Sequence, residues 1–178
     1  MSRHIALLRG VNLGPRNRVP MPALREVLTD AGFGDVRTYV QSGNVVLSSE
    51  ASPEVVARDC ERLIARGFGL DIPVVVRTRD ELADVVRRNP LGQVATNPKR
   101  YQVTFFAAKP DPGVVPRLEA AALADERFVL FGRELYAWHP DGIGRSRLWA
   151  LLAGKTLGVT ATARNWTTVT SLLALADE

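Results

Sequence analysis

Val36-Arg37-Thr38-Tyr39-Val40-Gln41-Ser42-Gly43-Asn44-Val45-Val46-Leu47-Ser48-Ser49 decides the fold. Two β-type runs, Val36 to Val40 and Val45 to Ser49, flank a short polar stretch whose Gly and Asn suit a tight hairpin connection. Working outward, His4 to Arg9 reads as a strand, and Leu24, Val27, Leu28 and Ala31 mark one face of a helix that Gly32 stops. After the hairpin, Ser52-Pro53 opens a second helix that carries Val56, Cys60, Leu63 and Ile64 on one side and ends at Gly67 and Gly69. Ile72 to Arg77 is a fourth strand. The order strand-helix-strand-strand-helix-strand predicts an α+β, ferredoxin-like βαββαβ half over residues 1–78.

Thr78 and Glu81 have the spacing of a capping box, and Leu82, Val85 and Val86 continue a helix to Asn89-Pro90. Residues 90–99 are the linker candidate. Beyond them Tyr101 to Ala108 reads as a strand, Val114 to Ala124 as a helix, and Phe128 to Phe131 with Leu135 to Trp138 as a hairpin. Ser146 to Leu152 and Trp166 to Leu175 read as closing helices separated by Gly154 and Gly158. Residues 79–178 are therefore expected to form a second, related α+β half with extra C-terminal helices packed back toward the first. The first and third strands offer no exposed aromatics for base stacking, so the sheet faces that helices leave open are expected to be covered.

Composition narrows the function classes. Apolar residues make up 46% of 178, with no run of about 18 of them, so neither a membrane span nor a secretory leader is expected and the chain reads as cytoplasmic. One cysteine and two histidines leave no metal-ligand spacing, and nothing implies a cofactor. The net charge of +4 is unevenly spread: residues 1–40 hold six basic and three acidic side chains, residues 41–132 twelve of each, and residues 133–176 five and two. Cys60, on an apolar helix face, reads as a small hydrophobe rather than a nucleophile.

The excess charge coincides with polar motifs. Arg9-Gly10-Val11-Asn12-Leu13-Gly14-Pro15-Arg16-Asn17-Arg18 connects a strand to a helix, where glycines and cations suit an anion. Gly142-Ile143-Gly144-Arg145-Ser146 precedes a helix with Ser146 placed as its N-cap, and Thr160 to Trp166 is a polar approach to the last helix. Gly154-Lys155-Thr156 is not a P-loop, because Trp149 occupies the first glycine position and the tripeptide ends a helix. No nucleophile and base show a known spacing: Ser42 and Ser146 have only His4 and His139 to draw on. The acids fall mostly on helix surfaces.

Leu8-Arg9-Gly10-Val11-Asn12-Leu13-Gly14, Val19-Pro20-Met21, Gln41-Ser42-Gly43-Asn44-Val45, Gly142-Ile143-Gly144-Arg145-Ser146 and Thr162 to Val169 resemble the family numbered 1697 among bacterial domains of unknown function. Arg16, Arg18 and Arg147 stand where many members carry lysine. The resemblance implies an α+β fold of ferredoxin-like topology and no established activity. Together the motifs set one expectation, in which Arg9, Asn12, Arg16, Arg18, Ser42, Asn44, Arg145, Ser146, Arg164 and Asn165 line an electropositive cleft between the halves. It would bind a phosphate-bearing small molecule or nucleic acid. The alternatives are an enzyme acting on a nucleotide or phosphoester, and a protein-interaction module.

Overall fold

The computed structural model describes residues 1–178, which form a mixed α+β protein of two four-stranded antiparallel sheets and six α-helices. Two compact units divide the chain. One comprises Met1–Asp84 with Ser171–Glu178, the other Val85–Thr170.

The first unit contains β1 (Ser2–Leu8), α1 (Met21–Asp30), β2 (Gly34–Tyr39), β3 (Asn44–Ser49), α2 (Pro53–Phe68) and β4 (Val74–Thr78), with strand order β2-β3-β1-β4. Alternation sends Ala6, Leu8, Val45, Leu47, Val74 and Val76 to one face of the sheet. There they form a core with Met21, Leu24 and Leu28 of α1 and Val56, Cys60 and Ile64 of α2. Ser52 caps α2 by accepting from the Val55 N–H, and Gly69 ends it in the left-handed conformation at φ +67°. Burial pushes the Cys60 thiol up to about 12. The folded protein is therefore expected not to react with a thiol-specific disulfide reagent at pH 8, and to yield one equivalent once unfolded in guanidinium.

The opposite face carries Ile5, Leu7, Val46, Val75 and the whole Arg77 side chain, all buried. The helix-free side of this sheet is thus covered, as its lack of aromatics suggested. The C-terminal residues of this unit are tied to it: Arg3 donates to the Ala176 carbonyl, Arg37 pairs with Glu178, and Arg79 grips Asp177 through two hydrogen bonds of 2.6 and 3.1 Å.

At the end of β4 the capping box forms as its spacing predicts. The Thr78 N–H donates to Glu81 and the Glu81 N–H to the Thr78 hydroxyl, starting α3 (Arg79–Arg88).

The second unit holds β5 (Tyr101–Phe106), α4 (Val114–Ala121), β6 (Arg127–Phe131), β7 (Glu134–Trp138), α5 (Arg147–Ala153) and β8 (Ala161–Asn165), in strand order β6-β7-β5-β8. Val114, Leu118, Leu148 and Leu152 pack over Phe106, Leu135, Ala137 and Ala161. On the other face Tyr101 stacks on Trp166 with ring centroids 4.9 Å apart, and the Tyr136 hydroxyl donates to the Val85 carbonyl.

β8 corrects the expected polar approach to the last helix. Residues 161–165 pair with β5 from Gln102–Asn165 to Phe106–Ala161. Small and polar residues carry little strand propensity of their own; the adjacent edge of β5 imposes the conformation. Helix α6 (Trp166–Ala176) follows at once, capped by Asn165, which accepts from the Thr168 N–H.

Candidate functional site

The Arg-rich connection between β1 and α1 is pinned at both ends and presented to solvent in between. Val11, Val19 and Met21 are core residues, and the Arg9 N–H donates to the Pro73 carbonyl. Asn12, at φ +57°, closes the loop: its N–H donates to the Asn17 carbonyl, its side-chain oxygen accepts from the Val19 N–H, and its amide nitrogen donates to the carbonyls of Val19 and Gln41. That last bond, 2.6 Å long, ties the loop to the turn between β2 and β3.

The turn has its own fastening. Asn44 is fully buried, and its amide donates to the Tyr39 carbonyl and the Ser42 hydroxyl. Gly43 bridges to β1, accepting from the Leu8 N–H at 2.9 Å. Asn12, Ser42 and Asn44 thus shape the surface. Asparagine amides that satisfy backbone groups in this way fix a loop.

Arg16 and Arg18 are what that framework displays. Both are exposed and make no ion pair or hydrogen bond, and no Asp or Glu occurs before Glu26. Arg9 lies at the foot of the loop, partly exposed. Beside the arginines, Leu13 is 82% exposed and Val40 53% exposed. Val40 also sits at φ +51°, a conformation that a β-branched residue adopts only under strain.

In the second unit the expected residues divide differently. Arg145 is exposed and unpaired between Gly144 and Ser146. Ser146 is buried: its oxygen accepts from the Trp149 N–H to cap α5, and its hydroxyl donates to Glu126 at 2.6 Å. Arg164 is also buried, donating to the Thr162 hydroxyl and the Ala163 carbonyl, and burial lowers its pKa to about 10. Asn165 serves as the α6 cap. Neither Ser146 nor Arg164 directs its donors to solvent.

The fold brings together three groups whose spacing carries no signature. Glu126 meets His139 Nδ1 at 2.5 Å and Ser146 at 2.6 Å through the same oxygen, Oε2, while its Oε1 accepts from the Leu123 N–H. Burial alone would raise the Glu126 carboxyl, but the Leu123 N–H, the Ser146 hydroxyl and His139 together hold it below the ordinary carboxylate range. The cluster is not a hydrolytic triad. A proton relay places serine and acid on opposite imidazole nitrogens, whereas here both sit at Nδ1 and the buried Nε2 has no partner. Glu126 instead fastens the start of α5 to the segment before β6. Its position in residues 41–132, where twelve acidic side chains balance twelve basic ones, gave no sign of this.

A family profile described as "Protein of unknown function (DUF1697)" matches residues 1–136. Among solved structures the chain is similar to the conserved bacterial protein SP0830 from Streptococcus pneumoniae, at 21% identity, a TM-score of 0.80 and 98% of each chain covered. At that identity the likeness concerns the fold. No curated protein matches the chain. With most of its length matched by the profile, the chain belongs to the DUF1697 family of proteins of unknown function.

Proposed function

We propose that this is a cytoplasmic protein built of two ferredoxin-like units, whose Arg9–Arg18 loop binds a phosphate-bearing ligand or nucleic acid. The strand orders β2-β3-β1-β4 and β6-β7-β5-β8, each with two crossover helices on one face, support the ferredoxin-like reading. The observation that carries the binding reading is the display of Arg16 and Arg18, without acidic partners, on a loop that Asn12 holds in one conformation. Two guanidinium groups on a preorganised loop bind a phosphate with little ordering cost. An enzymatic reading has less support, because Ser146 and His139 lie inside the protein and bond to one carboxylate oxygen.

The test is a titration of the intact protein with a fluorescent single-stranded oligonucleotide and with nucleoside triphosphates at several salt concentrations. The double variant Arg16→Ala/Arg18→Ala should keep its unfolding free energy within about 0.5 kcal/mol and lose at least roughly tenfold in affinity. For the oligonucleotide, the slope of log K against log salt should shrink by about 1.4, two phosphate contacts on a single strand. Binding that is absent in the wild type, or equal in the variant, would overturn the proposal. A small-phosphate site shows triphosphate binding with weak salt dependence and no gain for the polymer.

A further inference from the structure

The two compact units carry opposite net charge. Met1–Asp84 with Ser171–Glu178 holds eleven basic and thirteen acidic side chains, whereas Val85–Thr170 holds twelve basic and six acidic. Within the second unit the acids avoid two stretches. None occurs from Val85 to Pro110, and Asp141 is the single one from Leu135 to Thr170. Charge distributed in this way makes a positive field over any surface the two stretches share.

The fold joins them at one end of the sheet. Tyr101 pairs with Trp138, and just beyond this pair the His139 N–H donates to the Arg100 carbonyl while the Arg100 guanidinium donates to the Pro140 carbonyl. Lys99 precedes Arg100 in a 3₁₀ turn, Pro98–Arg100, where Asn97 accepts from the Lys99 N–H. Arg145 and Arg147 flank Ser146, whose hydroxyl lies 3.3 Å from His139 Nδ1. The side chains of Lys99, Arg145 and Arg147 are exposed and make no ion pair or hydrogen bond. Asp141 and Asp125 are the exposed acids at this end, and the Arg127 guanidinium sits beside Asp125 on the carbonyls of Ala124 and Glu126. Five cations thus stand against two exposed carboxylates.

The loop is also braced from inside. His139 and Ser146, at its two ends, bond the same oxygen of buried Glu126, so the segment that carries Arg145 is closed on a fixed point. Asn12 does the same beneath Arg16 and Arg18.

We propose that Lys99, Arg100, Arg145 and Arg147 form a surface that binds the phosphate backbone of a nucleic-acid duplex. Guanidinium groups match phosphate oxygens two at a time, and cations on two loops locked to each other meet successive phosphates rather than one. Unstacked bases find no platform here, because Tyr101 and Trp138 are buried and the Trp149 ring meets His139 edge to face. The partner is therefore one whose bases are already stacked, read by its backbone and without sequence preference. A bilayer would select protruding apolar side chains beside the charge, and the loop offers only Ile143, 37% exposed. This surface lies wholly in the second unit and holds whether or not the Arg9–Arg18 loop takes a ligand.

The test uses the full chain carrying Arg16→Ala/Arg18→Ala, so that the other loop does not contribute. A fluorescent DNA duplex should bind in the micromolar range at low salt, equally well for two unrelated sequences and more tightly than either strand alone. Adding Arg145→Gln/Arg147→Gln should weaken binding at least tenfold and reduce the slope of log K against log salt by about 1.8, two duplex phosphate contacts. Lys99→Gln, on an exposed turn away from any helix, should reduce it by about 0.9 with the thermal midpoint unchanged, and decides the matter if the double change unfolds the protein. The proposal is overturned if the duplex does not bind, if these substitutions leave affinity and slope unchanged, or if the single strand binds more tightly. It is also overturned if polyglutamate competes as well as the duplex, since the partner would then be an acidic polypeptide, or if the chain binds phosphatidylserine vesicles in preference to the duplex.

Discussion

Gly43→Ala is expected to destabilise the protein by about 3 kcal/mol or more, although it adds a single methyl group to a surface turn. Two effects combine. Gly43 has φ +82°, where an L-residue costs roughly 1–2 kcal/mol. A Cβ there would also lie 2.6 Å from Leu8 Cβ and 2.8 Å from Val11 Cγ2, atoms of β1 and of the loop's anchored end that cannot retreat without disturbing the core. Gly10→Ala separates the two contributions. Gly10 has φ +70° but nothing within 4 Å of its would-be Cβ, so about 1 kcal/mol is expected. Urea unfolding of both variants checks the difference; equal losses would show that the contact with Leu8 and Val11 relaxes freely.

The second large effect concerns Glu126. Glu126→Ala would strand the Leu123 N–H, the Ser146 hydroxyl and the His139 N–H in a buried space, at roughly 1–3 kcal/mol each, and a loss of about 3–5 kcal/mol is expected. The pH dependence has a definite sign. The Glu126 carboxyl titrates lower in the folded protein than in the unfolded chain, so its contribution is complete above the unfolded value of about 4.3. It is lost as pH falls through the folded value. Denaturation midpoints measured from pH 7 down to pH 3 should therefore decline in the wild type, and less steeply in Glu126→Gln. A loss under 1 kcal/mol in Glu126→Ala would show that water enters and replaces the carboxylate.

The contrast between these two sites explains what was legible before the structure. Residues whose role is local announced themselves: Thr78 and Glu81 at capping-box spacing, Ser52-Pro53 at a helix start, and the apolar stripe of α2 with Cys60. The exposure of Arg16 and Arg18 without an acidic partner was legible for a negative reason, since no acid stands near them in the chain. Asn12 and Asn44 were recognised as special, but their partners, Val19 and Gln41 for one and Tyr39 and Ser42 for the other, could be read only from a folded loop. Glu126, His139 and Ser146 are spread over twenty positions with no periodicity to link them. β8 was hidden for a related reason. Ala161-Thr162-Ala163-Arg164-Asn165 becomes a strand because β5 lies alongside, and that information resides in residues 101–106.

The division of the chain bears on its synthesis. The first unit is assembled from Met1–Asp84 and Ser171–Glu178, so its last piece is translated only after the 86 residues Val85–Thr170 have been added. At about 5–20 residues per second that interval is on the order of 4–17 s. Throughout it β1 to β4 have been synthesised, while Arg3, Arg37 and Arg79 still lack Ala176, Glu178 and Asp177. A nascent chain halted before Ser171 should hold this sheet with Arg3, Arg37 and Arg79 free of these partners, a difference that belongs to those seconds and not to the finished protein.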